Sequence, residues 1–202
     1  MDTTPGLDRS DRIAMYAAAV MAASGAVIAI TAAVERLREV APGHDIPVTV
    51  PLDGETAPLP LGPDGAAVTA TVETATVVVP DPAPATMFAL WAEPIWAALA
   101  ICAGLVIAVL FFLRLARGRA FTRGASRLAY TGAGVIAVGW VGDRLWSNMT
   151  TNGAMSAISD YTYGVAIFEA SLVPLLAILV VGAIGAALHV GEKLQRETEG
   201  LV

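Results

Sequence analysis

The sequence contains few of the side chains from which catalytic and metal sites are usually built. It has one cysteine, Cys102, and two histidines, His44 and His189, among 202 residues. A single cysteine excludes an internal disulfide and a thiolate metal site, and two histidines so distant in sequence give no basis for a shared metal site. No glycine-rich phosphate loop, HExxH or GxSxG motif is present. We therefore expect no metal, no cofactor and no enzymatic activity.

Charge is also scarce, and its distribution is uneven. Only 15% of residues are charged and 56% are hydrophobic, whereas soluble domains have about 25% charged residues. The apolar residues fall in long uncharged runs, which is typical of membrane proteins. The net charge of −6 gives no basis for nucleic-acid binding, so we expect the lipid bilayer as a partner and no nucleic acid.

Four hydrophobic segments predict four transmembrane helices, with spans at about 13–34, 93–113, 124–146 and 163–189. The first could also be a signal peptide, but its 22 uncharged residues exceed the usual apolar region of about 7–15. The third is the weakest, since only residues 128–142 are uncharged, and an interfacial or re-entrant helix is its alternative. Its glycines predict close helix approach: Gly132, Gly134, Gly139 and Gly142.

A proline-rich segment at 40–87 separates the first two spans. Residues 46–52 alternate, with Ile46, Val48, Val50 and Leu52 on one side, and residues 68–79 are rich in β-branched side chains. Both patterns predict strands. Few strands make a marginal sheet in water, so we expect this insert to pack on helix ends or on a partner. The fold class is thus a membrane all-α, four-helix bundle with a small extracytoplasmic β-rich insert, forming one membrane domain over residues 1–202. Residues 147–160 are predicted to form a polar loop.

Basic residues predict the orientation. Nine of the twelve Lys and Arg residues flank one side of the spans, and three flank the other. The three are Arg36, Arg38 and Arg144. Because cytoplasmic segments carry the excess of Lys and Arg, we expect a multi-pass protein of the cell (inner) membrane with both termini in the cytoplasm.

Glu169 is the first candidate functional residue. It lies several residues inside the fourth hydrophobic segment, where a carboxylate is costly and is a functional hypothesis by default. If it is buried, Arg144 is its expected partner in an intramembrane ion pair. The alternative is that the helix begins near Glu169, which would then lie at the headgroups. No span has a second central acid or base, which argues against a proton or ion relay.

A basic segment between the second and third spans is the second candidate. This predicted cytoplasmic loop carries five arginines and no acid: Arg114, Arg117, Arg119, Arg123 and Arg127. Such residues orient polytopic proteins. They also attract anionic lipid, so a specific lipid or partner contact is the alternative.

The segment from Gly118 to Leu128 resembles the "G-x-P-F-T-x-x-N-x-x-R-L" pattern of bacterial membrane proteins grouped as domain-of-unknown-function family 2975. It departs from that pattern at Ala120, which replaces the proline, and at Ala125, which replaces the asparagine. The four spans, the valine-rich insert and the charged C-terminal tail extend the resemblance over most of the chain. The resemblance implies a small four-span bacterial membrane protein, and it implies no particular activity.

The leading hypothesis is a non-enzymatic regulatory or scaffolding protein of the membrane, acting through protein or lipid contacts. The alternative is a small transporter or channel accessory that uses Glu169. An intramembrane enzyme is a third class, which the absence of a nucleophile, base and orienting group disfavours.

Overall fold

The computed structural model describes residues 8–118, 123–160, 162 and 171–199. These residues are mostly helical. Their four α-helices are α1 (Arg9–Val40), α2 (Pro84–Ala116), α3 (Arg123–Ser159) and α4 (Leu172–Glu199). Two strands, β1 (Ile46–Leu59) and β2 (Val68–Val79), lie between α1 and α2 and are joined through a short 3-10 turn at Pro63–Gly65.

Three helices of the described chain are long and apolar enough to cross a membrane: α1, α2 and α4. The membrane character predicted from the sequence is thereby confirmed for three of the four predicted spans. Almost none of their most apolar windows is buried inside the protein, at 6%, 0% and 6% respectively. Apolar helix surface of this extent needs a non-aqueous environment, and a bilayer supplies it.

The predicted polar loop at 147–160 is wrong, because α3 continues to Ser159. Serine, threonine, asparagine and glycine in this segment favour a loop by local propensity. Packing overrides that preference: Thr150, Ala154 and Met155 are 3%, 0% and 4% exposed. Tertiary contacts of this kind routinely outweigh weak helix propensity.

The predicted strands are confirmed as one antiparallel hairpin. Ile46 pairs with Val79 and Leu59 with Val68, with a register shift between Pro51 and Glu55. Ile46, Val48 and Val50 are buried on one face, as their alternation predicts. β1 extends to Leu59, beyond the alternating residues, because β2 is long enough to pair with the added segment.

The described chain divides into two compact units. The membrane unit contains 8–34, 95–118, 123–143 and 171–199, and the cap unit contains 35–94, 144–160 and 162. The core of the cap unit joins the hairpin face to helix ends through Val40 of α1, Leu90 of α2, and Ala154 and Met155 of α3. The hairpin therefore packs against helix residues. A sheet of two strands needs such packing because it is only marginally stable by itself.

Within the membrane unit, small residues allow the helices to approach closely. A Cβ on Gly139 would lie 2.9 Å from the Cβ of Ala100, and one on Gly142 would overlap the indole of Trp96. Gly134 has open space around it, so it does not make the approach that the sequence predicts for it. Between α1 and α2, the thiol of Cys102 lies 3.9 Å from the carbonyl oxygen of Ala26.

Candidate functional site

Each helix of the membrane unit exposes large apolar side chains. Large side chains that are more than half exposed occur on each helix, including Val27, Ile28, Leu99, Val138, Val173 and Leu176. Scattered exposed apolar residues are normal, but continuous exposed faces mark an interaction surface. This surface contacts lipid tails once the helices are embedded.

An apolar groove opens between α2, α3 and α4 inside the membrane unit. Its volume is about 730 Å³, within the range of small-molecule sites. Along α2 the lining runs from Ala97 to Phe112, and on α4 it includes Ala177 and Val181. Small residues at every turn of α2, including Ala100, Gly104 and Ala108, leave this space unfilled.

Polar groups lie at one end of the groove. Asp143 and Trp140 of α3 line it there, and the indole Nε1 of Trp140 is buried with no hydrogen-bond partner among the described residues. The remaining lining side chains are hydrocarbon, aromatic or glycine. The groove can therefore hold an apolar chain but supplies no nucleophile along its length.

Arg114 is not a lining residue, but it follows Phe111 and Phe112 of the lining at the opposite end of the groove. It follows Phe111 by one helical turn on α2, so the two side chains share a face, and it is half-buried. Its guanidinium packs against Gly124, where a Cβ would overlap it. Gly124 in turn precedes Leu128 of the groove lining by one turn of α3. The guanidinium therefore occupies the space beside Gly124, near the lining residues Phe111 and Leu128.

The other arginines of the predicted loop do not share the position of Arg114. α2 ends at Ala116 and α3 begins at Arg123, so the connection is shorter than the predicted 114–127 segment. Arg117 and Arg127 are exposed. Arg119 and the Arg123 side chain lie outside the described residues. Of the described side chains in this set, that of Arg114 contacts Gly124 near the groove end.

The predicted ion pair stays a prediction. Arg144 is a half-buried residue of α3 in the cap unit, and its Nε is buried without a hydrogen-bond partner among the described residues. Glu169 lies outside the described residues. A guanidinium nitrogen withdrawn from water costs free energy unless it is paired, so an acidic partner for Arg144 would stabilise the folded protein.

The cap unit is held by aromatic and close backbone contacts between helix ends. Phe88 and Trp146 pack edge to face, with ring centroids 5.7 Å apart. Thr86 of α2 packs so closely on Gly153 of α3 that a Cβ there would overlap it. The far end of the hairpin extends from this base with Leu61 and Val68 exposed. The arrangement presents exposed apolar side chains at the end of the hairpin on a packed base.

The charged C-terminal tail is the last turns of α4. Glu192 is 4% exposed and accepts a hydrogen bond from Arg196, with the nitrogen and oxygen 2.5 Å apart. The pair has the i, i+4 spacing that stabilises helices. The tail is therefore an ordered helical extension through Glu199, whereas its composition alone predicts only a charged tail.

Among the described residues, no group of three or more His, Cys, Asp and Glu side chains lies close enough to hold a metal ion. Sequence reasoning missed the groove and the special position of Arg114. The signal was present in the small residues repeating every three or four positions along α2, but similar repeats also mark tight helix packing.

No protein-family model matches this chain, and no curated protein or solved structure matches it. Its resemblance to domain-of-unknown-function family 2975 therefore stays a proposal.

Proposed function

We propose that this chain is a non-enzymatic, four-span protein of the bacterial cell membrane that acts as a regulatory or scaffolding component. Its cap unit lies outside the cytoplasm, and both termini lie inside. It belongs, on this proposal, with the four-span proteins of domain-of-unknown-function family 2975. It works through contacts of the hairpin and of the cytoplasmic helix ends.

The bounds of the membrane unit along the helices support the four-span part of the proposal. The membrane unit ends at Val34 on α1, begins again at Ile95 on α2 and ends at Asp143 on α3. These points coincide with the ends of the uncharged sequence runs. The α3 portion, residues 123–143, measures about 31 Å at ~1.5 Å per residue, which suffices for a hydrocarbon core of ~30 Å. It shares one compact unit with three helices that are apolar enough to span.

The distribution of Lys and Arg residues supports the proposed orientation in the membrane. The three basic residues of the cap unit are Arg36, Arg38 and Arg144. The described basic residues of the membrane unit lie near its helix ends, at 9–12, 114–127 and 193–196. Because Lys and Arg are enriched in cytoplasmic segments, the side bearing those ends faces the cytoplasm and the cap unit faces away from it.

The interior of the spans supports a contact role over a transport role. Residues 13–34, 95–113, 128–142 and 172–188 contain no Asp, Glu, Lys or Arg. Ion and proton pathways use intramembrane ionisable groups. A transporter or channel accessory that uses Glu169 remains the competing prediction, and it depends on a residue outside the described structure.

Site-specific photocrosslinking in native membranes tests the role. A photoreactive side chain is placed at Thr56 of the hairpin, at Lys193 of α4, and at the exposed apolar Val141 of α3 as the lipid-facing control. We expect a discrete protein adduct from Thr56 or Lys193 and none from Val141. No adduct at either position, together with solute flux in proteoliposomes that is lost in Glu169→Gln, would favour the transporter.

A further inference from the structure

The end of the groove near Arg114 combines two features that are independent of each other. One is an apolar channel lined at this end by Ala108, Phe111, Leu128, Gly132 and Val181. The other is the half-buried guanidinium of Arg114, which contacts Gly124, one helical turn before Leu128 of the lining. An apolar channel alone could be filled by any hydrocarbon. The cation at its end restricts the occupant to a molecule with an anionic group attached to an apolar chain.

The cation is available for such a group. Among the described residues, no carboxylate forms an ion pair with Arg114. Withdrawing a guanidinium from water without a counter-charge is costly. An anion supplied by a ligand would offset that cost.

We infer that the groove binds one acyl chain of an anionic phospholipid, whose phosphate is held by Arg114. The inference deepens the proposed function and rests on its membrane embedding. It does not rest on the orientation or on the number of spans, because the groove lies within one unit and is formed by α2, α3 and α4.

The chemistry of the groove end favours a phosphate. A guanidinium donates two parallel hydrogen bonds to phosphate oxygens, which an ammonium cannot do. Gly124 is the second residue of α3, and N–H groups in a first helical turn have no partner within their helix. The positive end of the α3 dipole points to the same place and adds to the attraction for an anion.

The dimensions favour a lipid chain. Along α2, the groove from Phe112 back to Ala97 extends about 22 Å at ~1.5 Å per residue. Half of a hydrocarbon core is roughly 15 Å. An acyl chain whose phosphate is at Arg114 therefore fits within the groove and ends before Trp140 and Asp143 at its other end.

Lipid titration of the purified full-length protein in detergent tests the inference, with bound lipid counted by native mass spectrometry. The probes are dioleoyl phosphatidylglycerol, dioleoyl phosphatidylcholine and water-soluble glycerol phosphate. We expect tighter binding of phosphatidylglycerol than of phosphatidylcholine and no measurable binding of glycerol phosphate. Equal affinity for the two lipids would overturn the role of the cation, and tight binding of glycerol phosphate would overturn the role of the groove.

Two pairs of variants distinguish lipid binding in the groove from nonspecific attraction by surface charge. Arg114→Gln should lower phosphatidylglycerol affinity about tenfold, whereas Arg127→Gln, at an exposed arginine off the groove, should leave it nearly unchanged. Ala177→Phe fills the groove and should weaken both lipids, whereas Ala183→Phe, at an exposed position of α4, should weaken neither. Equal effects within either pair would overturn the inference.

Arg114→Lys provides a second test if the Arg114→Gln variant does not fold. It keeps the positive charge and loses the paired donors, so it should retain part of the preference for phosphatidylglycerol. Complete loss of that preference in a folded Arg114→Lys protein would contradict binding through charge. These measurements use detergent micelles and do not depend on the orientation of the protein in a membrane. Absence of lipid binding would therefore not contradict the proposed topology, and an incorrect topology would not contradict lipid binding that is observed.

Discussion

The indole of Trp96 donates a hydrogen bond to the backbone carbonyl oxygen of Gly139, with the nitrogen and oxygen 3.1 Å apart. This bond joins α2 to α3 within the membrane unit. It requires the two helices to be close, and Gly139 and Gly142 provide the space because neither has a side chain. The contact ties α3, which is not among the three helices that are long and apolar enough to span a membrane, to α2, which is.

Filling this contact should destabilise the protein. In Gly142→Leu the new side chain overlaps the Trp96 indole, and we expect a cost of about 1–3 kcal/mol from overpacking. Gly134→Leu is the matched control, since the same substitution on the same helix meets nothing within 4 Å. Thermal unfolding in a mild detergent measures both. Equal melting temperatures for the two variants would show that the close approach does not contribute.

A substitution on the packed face of the hairpin should destabilise the protein more than the same substitution on its exposed face. Val50 is 0% exposed and Val78 is 56% exposed. Val50→Ala removes two buried carbon groups and should cost about 2 kcal/mol, whereas Val78→Ala should be nearly neutral. Limited proteolysis of the hairpin in the full-length protein reports the difference as a faster cut in Val50→Ala. Identical cleavage rates would mean that the hairpin does not depend on the helix ends.

A double-mutant cycle tests the predicted pair of Arg144 and Glu169. If the two side chains contact each other, Arg144→Ala leaves a carboxylate unpaired and should lower thermal stability more than Glu169→Gln does. The double variant should then recover part of the loss, with a coupling of about 0.5–3 kcal/mol. Additive effects of the two substitutions would rule out the pair. They would also remove the residue on which the transporter alternative depends.

The sequence predicted the parts of the fold that follow from local pattern. The uncharged runs around α1, α2 and α4 specify apolar helices of spanning length, and the alternation from Ile46 to Leu52 specifies the buried face of β1. The extension of α3 through Thr150 and Met155 could not be predicted, because its polar composition favours a loop and only tertiary packing makes it helical.

The site was less predictable than the fold for a physical reason. Five arginines look equivalent in the sequence, and the contact that distinguishes Arg114 is with Gly124, ten residues away on another helix. The groove exists because α2, α3 and α4 bring small residues to one place. The small residues of α2 repeat every three or four positions, but such repeats also mark tight helix packing, and no motif distinguishes Arg114 from the other arginines.

Cysteine accessibility in intact cells tests the central claim, the crossing of the membrane by four helices, most directly. Single cysteines are placed in a Cys102→Ala background at four exposed positions: Thr56, Arg117, Ala157 and Glu197. A membrane-impermeant maleimide should label Thr56→Cys and Ala157→Cys and should leave Arg117→Cys and Glu197→Cys unlabelled until the cells are permeabilised. Arg117 precedes α3 and Ala157 lies in its last turn, so opposite labelling at these two positions means that α3 crosses. Labelling at Thr56→Cys with none at Ala157→Cys would contradict the crossing by α3.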